Sequence, residues 1–224
     1  MALATRHRAD RAPALEPVPG LIVRRERDPA AMAALQGRTE LEMRRRFEAG
    51  HHAYVAVLHG AAAAWGWAAT RTAEIGELAS TVVIPDGERY LWNFVTLKQF
   101  RGMGIYPRLL DGIVEAESAE ARRFWIAYAP ENHASGAGIR KAGFTDVAEL
   151  SFDIEGRPAL RPREEEGSAA ARMLGLPEGD GPLAPCWRCA RAAGLAASSC
   201  ASGQCCCDYQ RAEAGCETEA GGVR

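Results

Sequence analysis

No cysteine precedes position 186, although seven crowd the stretch from there to Cys216. That excludes a disulfide framework for most of the chain. No run of 18 apolar residues occurs, which excludes a membrane-spanning helix of ordinary length. The first twenty residues lack the apolar stretch of a secretory signal, and Asp10 and Glu16 break the acid-poor pattern of a transit peptide. Charge of one sign is also missing: 27 Lys and Arg stand against 29 Asp and Glu, a formal net charge of -2. A general pull toward nucleic acid or an anionic membrane surface is therefore not expected. No internal repeat is visible. The expected setting is cytoplasmic and reducing, with a small-molecule or peptide partner. The sequence does not fix an oligomeric state.

What is present suffices for one packed domain with appendages: 224 residues, 47% hydrophobic. Four parts are expected. Residues 1–19, rich in Arg, Ala and Pro, read as a flexible leader. Residues 20–156 alternate strand and helix signals. Residues 157–181, rich in Pro, Gly, Glu and Arg, read as a linker with a short helix over 164–174. Residues 182–224 form a cysteine-rich tail. Within the domain, Leu21-Ile22-Val23 opens a strand, and Thr39 with Glu42 has the spacing of a capping box. Residues 53–58 and 61–71 form a hairpin about His59-Gly60. Pro85-Asp86-Gly87 is a turn, and residues 90–95 are aromatic and β-branched enough for a buried strand. Apolar Leu109, Leu110, Ile113 and Val114 mark a helix, with Pro107 in its first turn. A strand over 124–128, a short helix over 132–141 and one or two strands over 144–154 complete the domain. The fold class is mixed α/β: a central, mostly antiparallel sheet flanked by helices, followed by the cysteine-rich tail. Trp65, Trp67 and Trp92 read as core, and Asn93 as a buried, hydrogen-bonded strand residue.

Between the strand over 90–95 and its following helix lies Arg101-Gly102-Met103-Gly104. A glycine turn that opens a helix is a ready anion site. The first backbone N–H groups of a helix have no partner within it, and the dipole adds about 0.3–1 kcal/mol for a negative group.

Residues 95–110, VTLKQFRGMGIYPRLL, resemble the coenzyme A motif of the GCN5-related N-acetyltransferases. The later Asn132-His133-Ala134-Ser135 with Lys141-Ala142-Gly143-Phe144 resembles the same family's second motif. The resemblance covers residues 20–156 and implies a fold in which the fourth and fifth strands splay apart around acetyl-CoA. It implies that Phe94, Val95 and Thr96 pair with the pantetheine arm. Arg101, Gly102, Met103, Gly104, Ile105 and Tyr106 would meet the diphosphate, Asn132 the arm, and Ser135 the arm or a phosphate, with Lys98, Arg108 and Arg140 as candidates for outer phosphates. The implied activity is acetyl transfer to a primary amine of a small molecule or peptide. Tyr106 departs from the family's small residue at the end of the loop. Where many relatives carry an acidic Tyr this chain has Ile139, and where some carry a Glu base it has Ala127. Tyr128, His133 and Glu77 are the catalytic candidates that remain, with Tyr106, Glu74 and Glu88 beside them. The alternative is a catalytically degenerate acyl-CoA-binding module with a metal- or redox-sensing tail.

In that tail Cys186 and Cys189 form a CxxC pair able to present two thiolates to one ion, and Cys205 and Cys207 would complete a set of four for zinc. Copper(I), an iron–sulfur cluster and a disulfide-forming redox tail are the competing uses of so many soft ligands.

Overall fold

A computed structural model describes residues 1–183, apart from positions 77, 79, 154 and 156. In chain order the elements are β1 (Ala2–His7), β2 (Leu21–Glu26), α1 (Pro29–Gln36), α2 (Glu40–Glu48), β3 (His51–Leu58), β4 (Ala61–Ala69), β5 (Thr72–Ile75), β6 (Ser80–Val83) and β7 (Glu88–Thr96). A short 3-10 turn (Lys98–Phe100), α3 (Ile105–Glu117), β8 (Arg123–Tyr128), α4 (His133–Lys141), β9 (Thr145–Phe152), β10 (Pro158–Pro162) and α5 (Glu165–Leu174) follow. Local chemistry explains the boundaries. Thr39 and Glu42 form the expected capping box of α2. Asp28 accepts from the Ala30 amide to start α1, with Pro29 in its first turn and left-handed Gly37 at its end. His59 and Gly60 both have positive φ, 49° and 86°, which matches the twist of the β3–β4 hairpin.

Eight strands form one sheet in the order β10-β9-β1-β8-β7-β4-β3-β2, and β5–β6 is a separate hairpin. Every neighbouring pair in the large sheet is antiparallel except β7 and β8, which run parallel. This is the mixed, mostly antiparallel α/β architecture expected from the sequence.

Two expected boundaries need correction. Residues 1–19 are not a flexible leader throughout, because β1 lies inside the sheet between β8 and β9. Leu3 and Ala4 are fully buried, in the apolar layers on opposite faces. Arg6 is tolerated there because its guanidinium meets Asp111 at 2.8 Å and the Ala142 carbonyl at 2.9 Å. Nor are residues 157–181 a linker. β10 pairs with β9, and α5 packs on both, burying Ala170, Ala171, Met173 and Leu174. The helix falls where the short one was expected, but it completes the core of the sheet's far end.

Three apolar layers hold the sheet. The α3 stripe, Leu109, Leu110, Ile113 and Val114, packs with Leu91, Phe124 and Ile126 on one face. Met32 and Met43 from α1 and α2 pack with Trp65 and Trp67 on the other, as core. β1, β9 and α5 share the third. The far end of α3 is tied down by Glu117, 3% exposed. It accepts from the Tyr54 hydroxyl at 2.5 Å and Arg89 Nε at 2.7 Å, and pairs with His52 Nδ1 at 2.6 Å. Among the described residues no helix is long and apolar enough to cross a membrane.

Candidate functional site

The parallel pair β7–β8 is joined only from Glu88↔Arg123 to Leu91↔Ile126. Beyond that register each strand keeps its outer partner: β7 stays with β4 as far as Thr96, and β8 stays with β1 as far as Tyr128. The sheet therefore forks in its middle, and the side of β7 over residues 92–96 that faced β8 carries no strand. The bend has a local cause. Asn93, exposed rather than buried as expected, takes a left-handed φ of 54°, and the β4 register slips between Trp65 and Trp67. An extra residue on β7 at this point is a β-bulge. Gly66 makes it fit, since a Cβ there would lie 2.0 Å from the Phe94 ring.

The glycine turn closes the fork. Gly102 and Gly104 have φ of 81° and 68°, a region costly for other residues. Gly104 stands at the N-terminus of α3 with no side-chain cap, so the first amides of this thirteen-residue helix have no side-chain partner from the cap residue. Pro107 contributes no amide and costs nothing in the first turn. A cavity of about 1040 Å³ runs between this helix start, the open edge of β7 and α4. Ten residues assigned to coenzyme contact by the sequence line it: Phe94, Val95, Thr96, Arg101, Gly102, Gly104, Ile105, Tyr106, Asn132 and Ser135. Met103 does not, its side chain being turned out and 46% exposed. Arg101, Arg108 and Lys141 bring positive charge to the lining, against one carboxylate, Glu16. Lys98 and Arg140 do not line it, and Arg140 is paired with Asp146 at 3.1 Å.

Ala14, Leu15 and Glu16 also line the cavity. Sequence reasoning missed them, since nothing local marks the segment after β1 as a wall of a cleft built eighty residues later. It missed Gly138 too. Tyr106, read as crowding the loop, turns instead toward α4. Its ring packs at the place where a Cβ on Gly138 would lie 2.5 Å from it, and edge-on to Phe94 with centroids 5.6 Å apart. The Tyr106 hydroxyl reaches Ser135 Oγ at 3.4 Å, and burial pushes this phenol up to about 12 despite that contact. A Gly138→Ala change is accordingly expected to cost about 1–3 kcal/mol in thermal unfolding, the usual cost of overpacking. Combined with Tyr106→Ala it should cost less than the sum of the two changes, and strict additivity would show that ring and glycine are not coupled.

The remaining expected site residues fall elsewhere. Asn132 caps α4, its side-chain oxygen accepting from the Ser135 amide at 3.0 Å. His133 is exposed at the first position of α4 and does not line the cavity. Tyr128 does not line it either. Its hydroxyl donates to Asp146 at 2.8 Å and accepts from Arg140 at 3.1 Å, and burial followed by the Asp146 contact raises it to about 12. Glu88 is buried against Trp125 Nε1, and Glu74 is exposed on β5. Glu77 and the metal candidates Cys186, Cys189, Cys205 and Cys207 lie outside the described residues. Among the described residues no group of three or more His, Cys, Asp or Glu is placed to hold a metal ion.

No protein-family model matches the chain, and no curated protein does. Similar solved structures include a GCN5-related N-acetyltransferase from Kribbella flavida, 15% identical over 65% of this chain and 53% of that one, with a TM-score of 0.46. This chain thus spans about half the length of that protein. Others are an acetyltransferase of the GNAT family from Streptococcus pneumoniae, 16% identical over 62% and 95% with a TM-score of 0.41, and an aminoglycoside acetyltransferase in complex with coenzyme A and kanamycin, 15% identical over 68% and 99% with a TM-score of 0.46. The forked parallel pair, the glycine turn and the helix that follows are the arrangement that the sequence resemblance to the GCN5-related N-acetyltransferases implies, and the chain's fold is similar to theirs.

Proposed function

We propose that this chain is an N-acetyltransferase of the GCN5-related type, moving an acetyl group from acetyl-CoA to a primary amine. One observation supports it above the rest: an unpaired strand edge leads directly to an uncapped helix start, with a cavity between them. That combination suits a ligand that is amide-bearing at one end and anionic at the other. The pantetheine arm adds to β7 as an extra strand. The diphosphate meets the amides from Gly102 to Tyr106, with Arg101, Arg108 and Lys141 around it.

In the transfer the amine nitrogen attacks the thioester carbonyl, a C–N bond forms, and the C–S bond breaks. Backbone N–H on the open edge of β7 is positioned to stabilise the oxyanion. The amine gives its proton to solvent, because Glu16 is exposed and is the one carboxylate among the described lining residues. The departing thiolate takes a proton from Tyr106, the phenol among the described lining residues, and the phenolate regains one from solvent.

Ile139, fully buried in the apolar layer, and Ala127 favour the second reading, an acyl-CoA-binding module without turnover. Calorimetry with acetyl-CoA, followed by assay of thiol release against a panel of amines, separates the two. Binding with amine-dependent release is the expected result. Binding without release from any amine supports the module, and no heat at all ends both readings.

A further inference from the structure

The fork opens through the sheet, so it has a second face. Leu91 and Phe94 point to the α3 side, whereas Trp92 and Val95 pack with the layer under α1 and α2. On that second face Arg46, from α2, stands over two rings: its guanidinium carbon lies 4.8 Å from the Trp92 centroid and 5.2 Å from that of Trp67. Trp92 is the first residue of β7 beyond the last β8 pairing. Arg46 therefore marks the mouth of the fork opposite the coenzyme cavity.

Among the described residues this cation has no counter-ion in contact with it. Among the described residues no carboxylate comes within 4 Å of it, and its one hydrogen bond, to Gln36, is long at 3.3 Å. Glu42 and Glu74 act on it only from farther off, and Arg38 adds like charge. Arg71, whose charge also reaches His51, spends its donors on the Ala49 and Glu48 carbonyls. His51 offers no negative charge. Its Nδ1 accepts from Trp92 Nε1 at 3.1 Å, and burial, then Arg46, pushes it down to about 4. The Trp faces attract the guanidinium but do not neutralise it. A half-buried arginine in such surroundings favours an anion and repels a polycation.

We infer that the acceptor is a small molecule carrying a carboxylate as well as its primary amine, with Arg46 holding the carboxylate on the Trp92 side of the fork so that the amine enters it. This rests on the acetyl-transfer reading above. A planar guanidinium can take a carboxylate through two parallel hydrogen bonds, which fixes the acceptor's orientation as well as its place.

The test compares matched acceptors, an amino acid and its carboxamide, at saturating acetyl-CoA. A hydrogen bond to a charged group is worth enough that kcat/KM should favour the carboxylate by about tenfold or more. In Arg46→Gln that preference should fall to near unity, with Arg46→Lys between, while calorimetry shows acetyl-CoA affinity unchanged. Equal or better use of the carboxamide by the native protein overturns the inference, whatever the variants do. So does a preference that survives Arg46→Gln. Failure of the native protein to bind acetyl-CoA overturns the transfer reading itself and is seen in the calorimeter before any acceptor is added.

Discussion

Replacing Glu117 by alanine is expected to remove about 3–5 kcal/mol of folding stability, the usual loss when one partner of a buried ionic network is deleted. For a domain of this size that corresponds to an unfolding temperature lower by about 6–20 °C. Burial works to raise the Glu117 carboxyl, but hydrogen bonds from His52, Tyr54 and Arg89 outweigh it and hold it at about 2, well below its ordinary 4.5. A carboxyl depressed in the folded state stabilises the fold fully above its unfolded value and loses that contribution as pH falls toward the folded one. Glu117→Gln keeps the shape and removes the charge. The gap in unfolding temperature between native protein and Glu117→Gln should therefore be full at neutral pH and narrow between about pH 4.5 and 2. A gap that stays constant across that range, or an alanine variant costing only the ~1 kcal/mol of a surface pair, would show that the network is not what holds this end of the helix. The consequence reaches the cleft, because α3 presents its opposite end to the cavity. A helix whose last turn is pinned to β3 and β7 cannot drift when its first turn takes up charge.

The parts legible in the sequence were those decided within a few residues. The glycines at 102 and 104 announce a tight turn, the apolar stripe from Leu109 announces α3, and Thr39 with Glu42 announces α2. From these the glycine-turn end of the cavity follows. Hidden were the features made by distant pairs. β1 reads as a leader because it carries Arg6, and nothing near Arg6 says that Asp111 and the Ala142 carbonyl will satisfy it. β10 is short and bounded by prolines, a composition that suits a linker and an edge strand equally well. The fork is an absence of pairing beyond Leu91 and Ile126, and no single residue encodes an absence, although Asn93 with its positive φ is the residue on which β7 bends. Tyr106 reads as an intrusion until Gly138 supplies the space for it. Each miss is a tertiary contact overriding a local signal.

Removing one oxygen at Tyr106 tests the chemistry most sharply. Tyr106→Phe is expected to lower kcat about 100-fold, within the usual range for a lost acid–base group, while KM for acetyl-CoA changes little. The ring stays, held between Phe94 and the glycine at 138, so the cavity keeps its shape. What goes is the only phenol among the described lining residues, set within reach of Ser135 and beside the open strand edge along which the thioester arm is proposed to lie. Because burial raises this phenol to about 12, it keeps its proton at neutral and moderately alkaline pH, and can hydrogen-bond to sulfur as negative charge develops there. The activity of the native protein should therefore show no loss near pH 10, where an ordinary tyrosine would ionise. Tyr128→Phe is the control. Its hydroxyl is already engaged by Asp146 and Arg140 and does not line the cavity, so kcat should be nearly unchanged. Should Tyr106→Phe turn over at the native rate, or Tyr128→Phe prove the slower of the two, the proton to the thiolate comes from elsewhere, and the cleft with its tyrosine serves only to bind.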